Sequence, residues 1–152
     1  MGTNFYLITA DRNICDEYFG YDYELTDTPH WGYQIHIAKT SAGWLPLWQS
    51  HDCFKSVKQL KKLYDTGNFT IADEYGNVYN WEEFDERVVQ FNGGRKGVAP
   101  REKIERNVFS PYYDSNLPEY RPISHFEYGH GRYAHEYFTD EDGYEFTDHE
   151  FG

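Results

Sequence analysis

Residues 69–94 read FTIADEYGNVYNWEEFDERVVQFNGG, and the fold class turns on them. A short apolar run at 69–72, a polar turn at 73–77 and Val78-Tyr79 predict a strand, a turn and a returning strand. Asn80 then has Glu83 three residues on, the capping box that opens a helix. Trp81, Phe84, Val88 and Phe91 recur at spacings of three and four, so one helix face is apolar. Asn92-Gly93-Gly94 ends that helix. The hydrophobic period thus switches from 2 to 3.6 within a few residues, which predicts strands and helices packed on each other.

The flanking sequence extends this pattern. Val57, Leu60, Leu63 and Tyr64 make an apolar stripe on a helix over about 56–65, with Lys55, Lys58, Lys61 and Lys62 on its wet side. Residues 3–10 read as an opening strand. Tyr33, Ile35 and Ile37 alternate with Gln34, His36 and Ala38, the period of a half-buried strand. Residues 44–48 follow as another strand, and Pro46 within it predicts an edge or bulged position. The acidic, tyrosine-rich residues 11–30 read as a long loop, and 93–120 as a surface excursion. Ile123–Tyr128 and Arg132–Phe138 flank Gly129-His130-Gly131 as a predicted hairpin, with Phe138, Tyr144, Phe146 and Phe151 returning to the core. The expectation is α+β: one domain over 1–152, a mostly antiparallel sheet and two amphipathic helices on one face. Its predicted core contains Phe5, Leu7, Ile35, Ile37, Leu60, Trp81, Phe84 and Val88.

Composition limits function. The 152 residues carry 20% aromatics, enough buried area for a packed core and against a disordered chain. Asp and Glu total 26 against 14 Lys and Arg, a net charge of −12. Such a charge repels nucleic acid and anionic membranes, so neither is an expected direct partner. No apolar run is long enough to span a bilayer, and the opening residues lack the pattern of a secretory signal. Cys15 and Cys53 alone do not make a disulfide framework. The expected location is therefore cytoplasmic.

Three constellations could carry chemistry. His36-Ile-Ala-Lys39-Thr40-Ser41-Ala-Gly-Trp44 is a strand running into a small-residue turn. Its backbone N–H groups, Lys39 and the Thr40 and Ser41 hydroxyls could hold a small anion, with Trp44 stacking on a base. A tight turn with a buried Trp explains the same residues. In the predicted hairpin His125 opposes His135, close enough for two imidazoles to share a metal, or simply to form a polar cross-strand pair. Asp140, Glu141 and Asp142 form an acidic turn that a partner could read, and reversing their charges is expected to leave the fold intact. No nucleophile motif stands out, so no catalytic residue and no cofactor is expected.

Met1-Gly-Thr-Asn-Phe-Tyr-Leu7, the His36–Trp44 motif, Asp73-Glu-Tyr-Gly76 and Asp142-Gly-Tyr-Glu-Phe-Thr147 together resemble a family of small, functionally unassigned bacteriophage and prophage proteins. The resemblance runs from the first residue to the last and implies a phage origin and a site of action in the host cytoplasm. Many relatives carry paired cysteines before the HIGKSSAGW-like motif. Here only Cys15 stands there, so a thiolate zinc site is not expected. The leading functional expectation is a non-enzymatic acidic protein that binds and inhibits a host protein with a basic surface, such as one of a defence system, with imitation of nucleic-acid charge as one route. The alternatives are a nucleotide-sequestering protein using the Lys39–Trp44 turn and a metal-dependent hydrolase built on the histidines.

Overall fold

The computed structural model describes residues 2–26, 32–91, 93, 122–125 and 137–149. Their order is β1 (Gly2–Thr9), α1 (Arg12–Tyr18), β2 (Glu24–Thr26), β3 (Gly32–Ser41), β4 (Leu47–Gln49), α2 (Val57–Asp65), β5 (Thr70–Asp73), β6 (Val78–Tyr79), α3 (Trp81–Phe84), β7 (Tyr137–Thr139) and β8 (Glu145–Thr147). The strands form one sheet in the order β6-β5-β1-β3-β4-β8-β7, and β2 pairs with β3 beside that path. Every pairing is antiparallel except β4 with β8. The fold is α+β, as the period switch predicts.

Both predicted helices form, the second with its predicted cap and the first with a cap not read from the sequence. Ser56 accepts from Gln59 N at the start of α2. Asn80 and Glu83 satisfy each other's backbone N–H groups at the start of α3. After Phe84 the helix widens into a π-type turn over Asp85–Val89, where Gln90 N reaches back to Asp85 O at 2.9 Å. This wider turn lets Val88 and Val89 both enter the core.

Residues 11–18 correct the loop reading. Asp11 caps a helix by accepting from Asn13 N and Ile14 N. Cys15 and Phe19 are buried, and Ile14 and Tyr18 pack against the core. Their spacing of one, four and five is a helix face hidden among acids and tyrosines. Pro46 also misleads. The strand begins after it, at Leu47, and β4 is interior, held by β3 on one side and β8 on the other. A proline just before a strand removes no ladder bond.

Phe5, Leu7, Ile35, Ile37, Leu60, Phe84 and Val88 are all buried, and Tyr144 and Phe146 return to them. Trp81 departs from its predicted core role. It is half-buried, capping the core edge beside Phe84 and Tyr64, with Lys61 Nζ 5.6 Å from its ring. Trp48 is the aromatic centre instead, fully buried against Phe84, Tyr144 and Phe146.

A bulge in β3 decides what the other sheet face carries. Phe5 pairs with Ala38 but Tyr6 with His36, so Ile37 is the extra residue. Ile37 and Ala38 both turn inward. Strict alternation would send Lys39 to the core side. The bulge returns it to the face of His36, opposite Asn4.

Candidate functional site

The face opposite the core holds two adjoining clefts that share Asn4. No residue of α2 or α3 lines either of them. The larger, about 660 Å³, is floored by Tyr6, His36 and Gln49 from β1, β3 and β4 and walled by Tyr21–Glu24, Ser50, His51 and Asp148. A smaller extension, about 330 Å³, runs on past Tyr21, Asp22 and His51 to Glu17 and Asp52. Five carboxylates (Glu17, Asp22, Glu24, Asp52 and Asp148) thus line these two neighbouring clefts, and among the described residues no Lys or Arg does.

Its aromatic floor is fixed. The Tyr6 and His36 rings stack at 4.8 Å. Burial, reinforced by Glu74 and Glu24, raises the Tyr6 phenol above its ordinary value and keeps it neutral. His51 Nε2 donates to His36 O at 2.6 Å, which ties the turn after β4 to β3. Burial holds its pKa below the usual histidine value, so the ring is neutral at pH 7. Ser50, His51 and Asp148 are residue types of a hydrolase relay, but they are not wired as one. Ser50 Oγ donates directly to Asp148, while the His51 Nε2 proton goes to a main-chain carbonyl.

The second cleft, about 420 Å³, brings together Lys39, Thr40, Ser41 and Trp44 with Gly2, Asn4, Glu74 and His125. Four of the five sequence-derived ligand residues therefore meet, while His36 belongs to the larger cleft next door. Three of the turn's N–H groups are already engaged: Gly43 N donates to Gly93 O, Trp44 N to Ser41 O and Leu45 N to Ile123 O. A ligand here meets chiefly side chains.

His125 enters this cleft because residues 122–125 lie along 43–45, with Ile123 bonded to both Gly43 and Leu45. The buried Glu145 carboxylate holds that segment by accepting from Ser124 Oγ and His125 N. The His125 ring stacks on Trp44 at 4.7 Å, and its Nε2 reaches Leu45 O at 3.0 Å. Burial first, and Lys39 second, lower its pKa to about 4. Such a ring is a neutral donor packed on an indole. The predicted hairpin loop and His135 lie outside the described residues, so the proposed metal-sharing pair is not described. Among the described residues no group of three His, Cys, Asp or Glu side chains is placed to hold a metal ion.

The acidic turn at 140–142 faces α2 more than solvent. Asp140 accepts from Asp142 N, Tyr144 N and, across the fold, Val57 N at the start of α2. Asp142 lies 3.8 Å from Lys58 Nζ, and Glu141 is exposed. Charge reversal at Asp140 therefore strikes the fold, contrary to the expectation from sequence. The acidic aromatic cleft itself escapes sequence reading, because its members come from residues 4 to 148 and only strand register gathers them.

Comparison with family models, curated proteins and solved structures finds no match to this chain. Among the described residues no helix is long and apolar enough to cross a membrane.

Proposed function

We propose that this protein is a non-enzymatic binding module that captures a basic segment of another protein in its acidic aromatic cleft. In the setting the phage resemblance implies, it is an inhibitor that occupies a basic surface of a host defence protein in the host cytoplasm. One observation carries the reading: among the described residues, five carboxylates and no cationic side chain line the larger cleft and its extension. A concave surface of one sign concentrates its field and speeds the encounter with opposite charge. Tyr6 and Tyr21 supply ring faces on which a guanidinium or ammonium can rest between those carboxylates, as Arg12 of the protein itself already rests 6.0 Å from the Tyr23 ring centroid. Tyrosine also gives contact area at low entropic cost. If the partner's basic surface normally receives nucleic acid, the row of carboxylates stands in for phosphates there. Of the two acidic surfaces this cleft is the stronger candidate, because Asp140 in the other is turned onto α2.

The test is association of the whole protein with a host lysate fraction and with Arg- and Lys-rich peptides at low and high salt. Asp22→Asn with Glu24→Gln should slow association about tenfold at low salt, an effect that salt erases. Glu141→Lys should do far less. Unchanged association by the cleft variant at both salt concentrations would sink the proposal.

A further inference from the structure

The second cleft has a chemistry that a basic peptide would not use, because its charges are balanced. Lys39 on β3 lies opposite Asn4 on β1. From the other side Glu74, which directly follows β5, donates its N–H to Asn4 O at 3.0 Å and accepts from Asn4 N at 2.9 Å through Oε1. Neighbouring strands lie about 4.8 Å apart, so cation, amide and carboxylate stand in a row about 10 Å long. Asn4 Nδ2 also donates to Glu74 Oε1 at 3.4 Å, so the row offers the Lys39 ammonium, the Asn4 carboxamide oxygen and the second Glu74 carboxylate oxygen in that order. Beside it the Trp44 and His125 rings stack at 4.7 Å with an interplanar angle of 27°. His125 adds no charge, since its ring is neutral at pH 7.

An aromatic stack beside a row of polar side chains fits a planar heterocycle. We propose that this cleft binds a small heteroaromatic molecule of the nucleobase or nucleoside class. The base packs against the Trp44–His125 pair, and its polar edge is read by Lys39, Asn4 and Glu74. The volume of about 420 Å³ lies within the range of small-molecule pockets. Polyphosphates are disfavoured on two counts. Glu74 and the net charge of −12 repel them. The N–H groups of Gly43, Trp44 and Leu45, which would have cradled a phosphate, are bonded to main-chain carbonyls. The ligand is therefore uncharged or singly charged, unlike the anion that a lysine at a small-residue turn first suggests.

This site adjoins the acidic cleft at Asn4, but Lys39 and Glu74 do not line that cleft and Asp22 and Glu24 do not line this one, so either reading can fail without the other. The experiment titrates the intact protein with adenosine, guanosine, cytidine and uridine and their mono- and triphosphates, following indole N–H resonances by NMR. Trp44→Phe assigns the reporter signal. The expected result is a saturable shift of the Trp44 signal by at least one nucleoside below about 1 mM, a weak but specific affinity. Triphosphates should bind more weakly than the matching nucleoside. Lys39→Met and Glu74→Gln, at exposed or half-buried positions, should keep the wild-type thermal midpoint and weaken binding at least about tenfold. Three results overturn the proposal: no saturable shift by any nucleoside, tighter binding of triphosphates than of nucleosides, or wild-type binding by both variants.

Discussion

Two turns in this protein are built alike and act at different ranges. Asp73-Glu-Tyr-Gly76-Asn77 joins β5 to β6, and Asp140-Glu-Asp-Gly143-Tyr144 joins β7 to β8. In each the aspartate N–H donates to the carbonyl four residues on, and the glycine N–H returns to the aspartate carbonyl. In each one carboxylate oxygen accepts from the backbone N–H groups two and four residues on. Gly76 and Gly143 take φ of 86° and 82°, a region that disfavours a side chain. The second carboxylate oxygen makes the difference. That of Asp73 stays within its hairpin, accepting from Asn77 Nδ2 and Tyr79 Oη. That of Asp140 crosses the fold to Val57 N. One device thus serves as a local lock in the first case and as a clamp between sheet and helix in the second.

The comparison breaks most visibly at Asp73. Its carboxylate is buried and accepts four hydrogen bonds, so Asp73→Ala should cost about 3 kcal/mol. Burial pushes this carboxyl up, but the bonds from Asn77, Tyr79 and Tyr75 outweigh it and the pKa lies below the ordinary value. A depressed folded-state pKa means the contribution is full above the unfolded value of about 3.9 and fades as pH falls through the folded one. Urea midpoints of wild type and variant should therefore differ most at neutral pH and draw together as the pH falls below the ordinary aspartate value. A gap that stays constant would remove the ionised carboxylate from the account.

Asp140→Ala should cost somewhat less, about 2 kcal/mol, because the side chain is only half-buried and Ser56 still caps α2. Its signature lies in where the damage appears. Amide exchange should quicken at Val57 as well as at Asp142 and Tyr144, whereas the Asp73 variant should loosen only β5, β6 and their turn. Exchange confined to 140–144 would show that no clamp exists.

Tyr79→Phe removes one arm of the Asp73 lock and should cost about 1 kcal/mol. Burial and the bond to Asp73 raise this phenol to about 12. With the folded value raised, its contribution is full below about pH 10 and is lost as pH climbs through about 12. Ultraviolet titration should show a late tyrosinate step in wild type that the Phe variant lacks. The smallest effect belongs to Lys58→Ala. Its contact with Asp142 spans 3.8 Å with Lys58 largely exposed, so urea stability should change by less than about 0.5 kcal/mol.

Legibility followed the range of the interactions. The Asn80–Glu83 box, the stripe of α2 and the alternation in β3 are patterns within one or two turns of chain, and each could be read from spacing alone. The helix at Arg12–Tyr18 carries such a pattern too, but Asp16, Glu17 and the neighbouring tyrosines obscured its short apolar face. The interior place of β4 could not be read, because its partner strand lies nearly a hundred residues later. The sites divide in the same way. Lys39, Thr40, Ser41 and Trp44 are near neighbours in the chain and meet as their spacing suggests. Asn4 and Glu74 join them only through strand register and the Ile37 bulge, which shifts side chains between faces without a mark in composition, and His125 only because 122–125 lie along 43–45.

The parallel pairing of β8 with β4 sets an order of events during synthesis. Trp48 needs Phe146 against its ring, and β4 needs β8 along its edge. Until residues 145–147 have left the ribosome, the largest core side chain has one unfilled flank and β4 offers an open edge. Contacts this distant in sequence form slowly, since a long loop must close before any of them is rewarded. The nascent chain therefore spends its longest interval as an incomplete sheet, the state in which chaperone capture or strand-to-strand aggregation competes with folding.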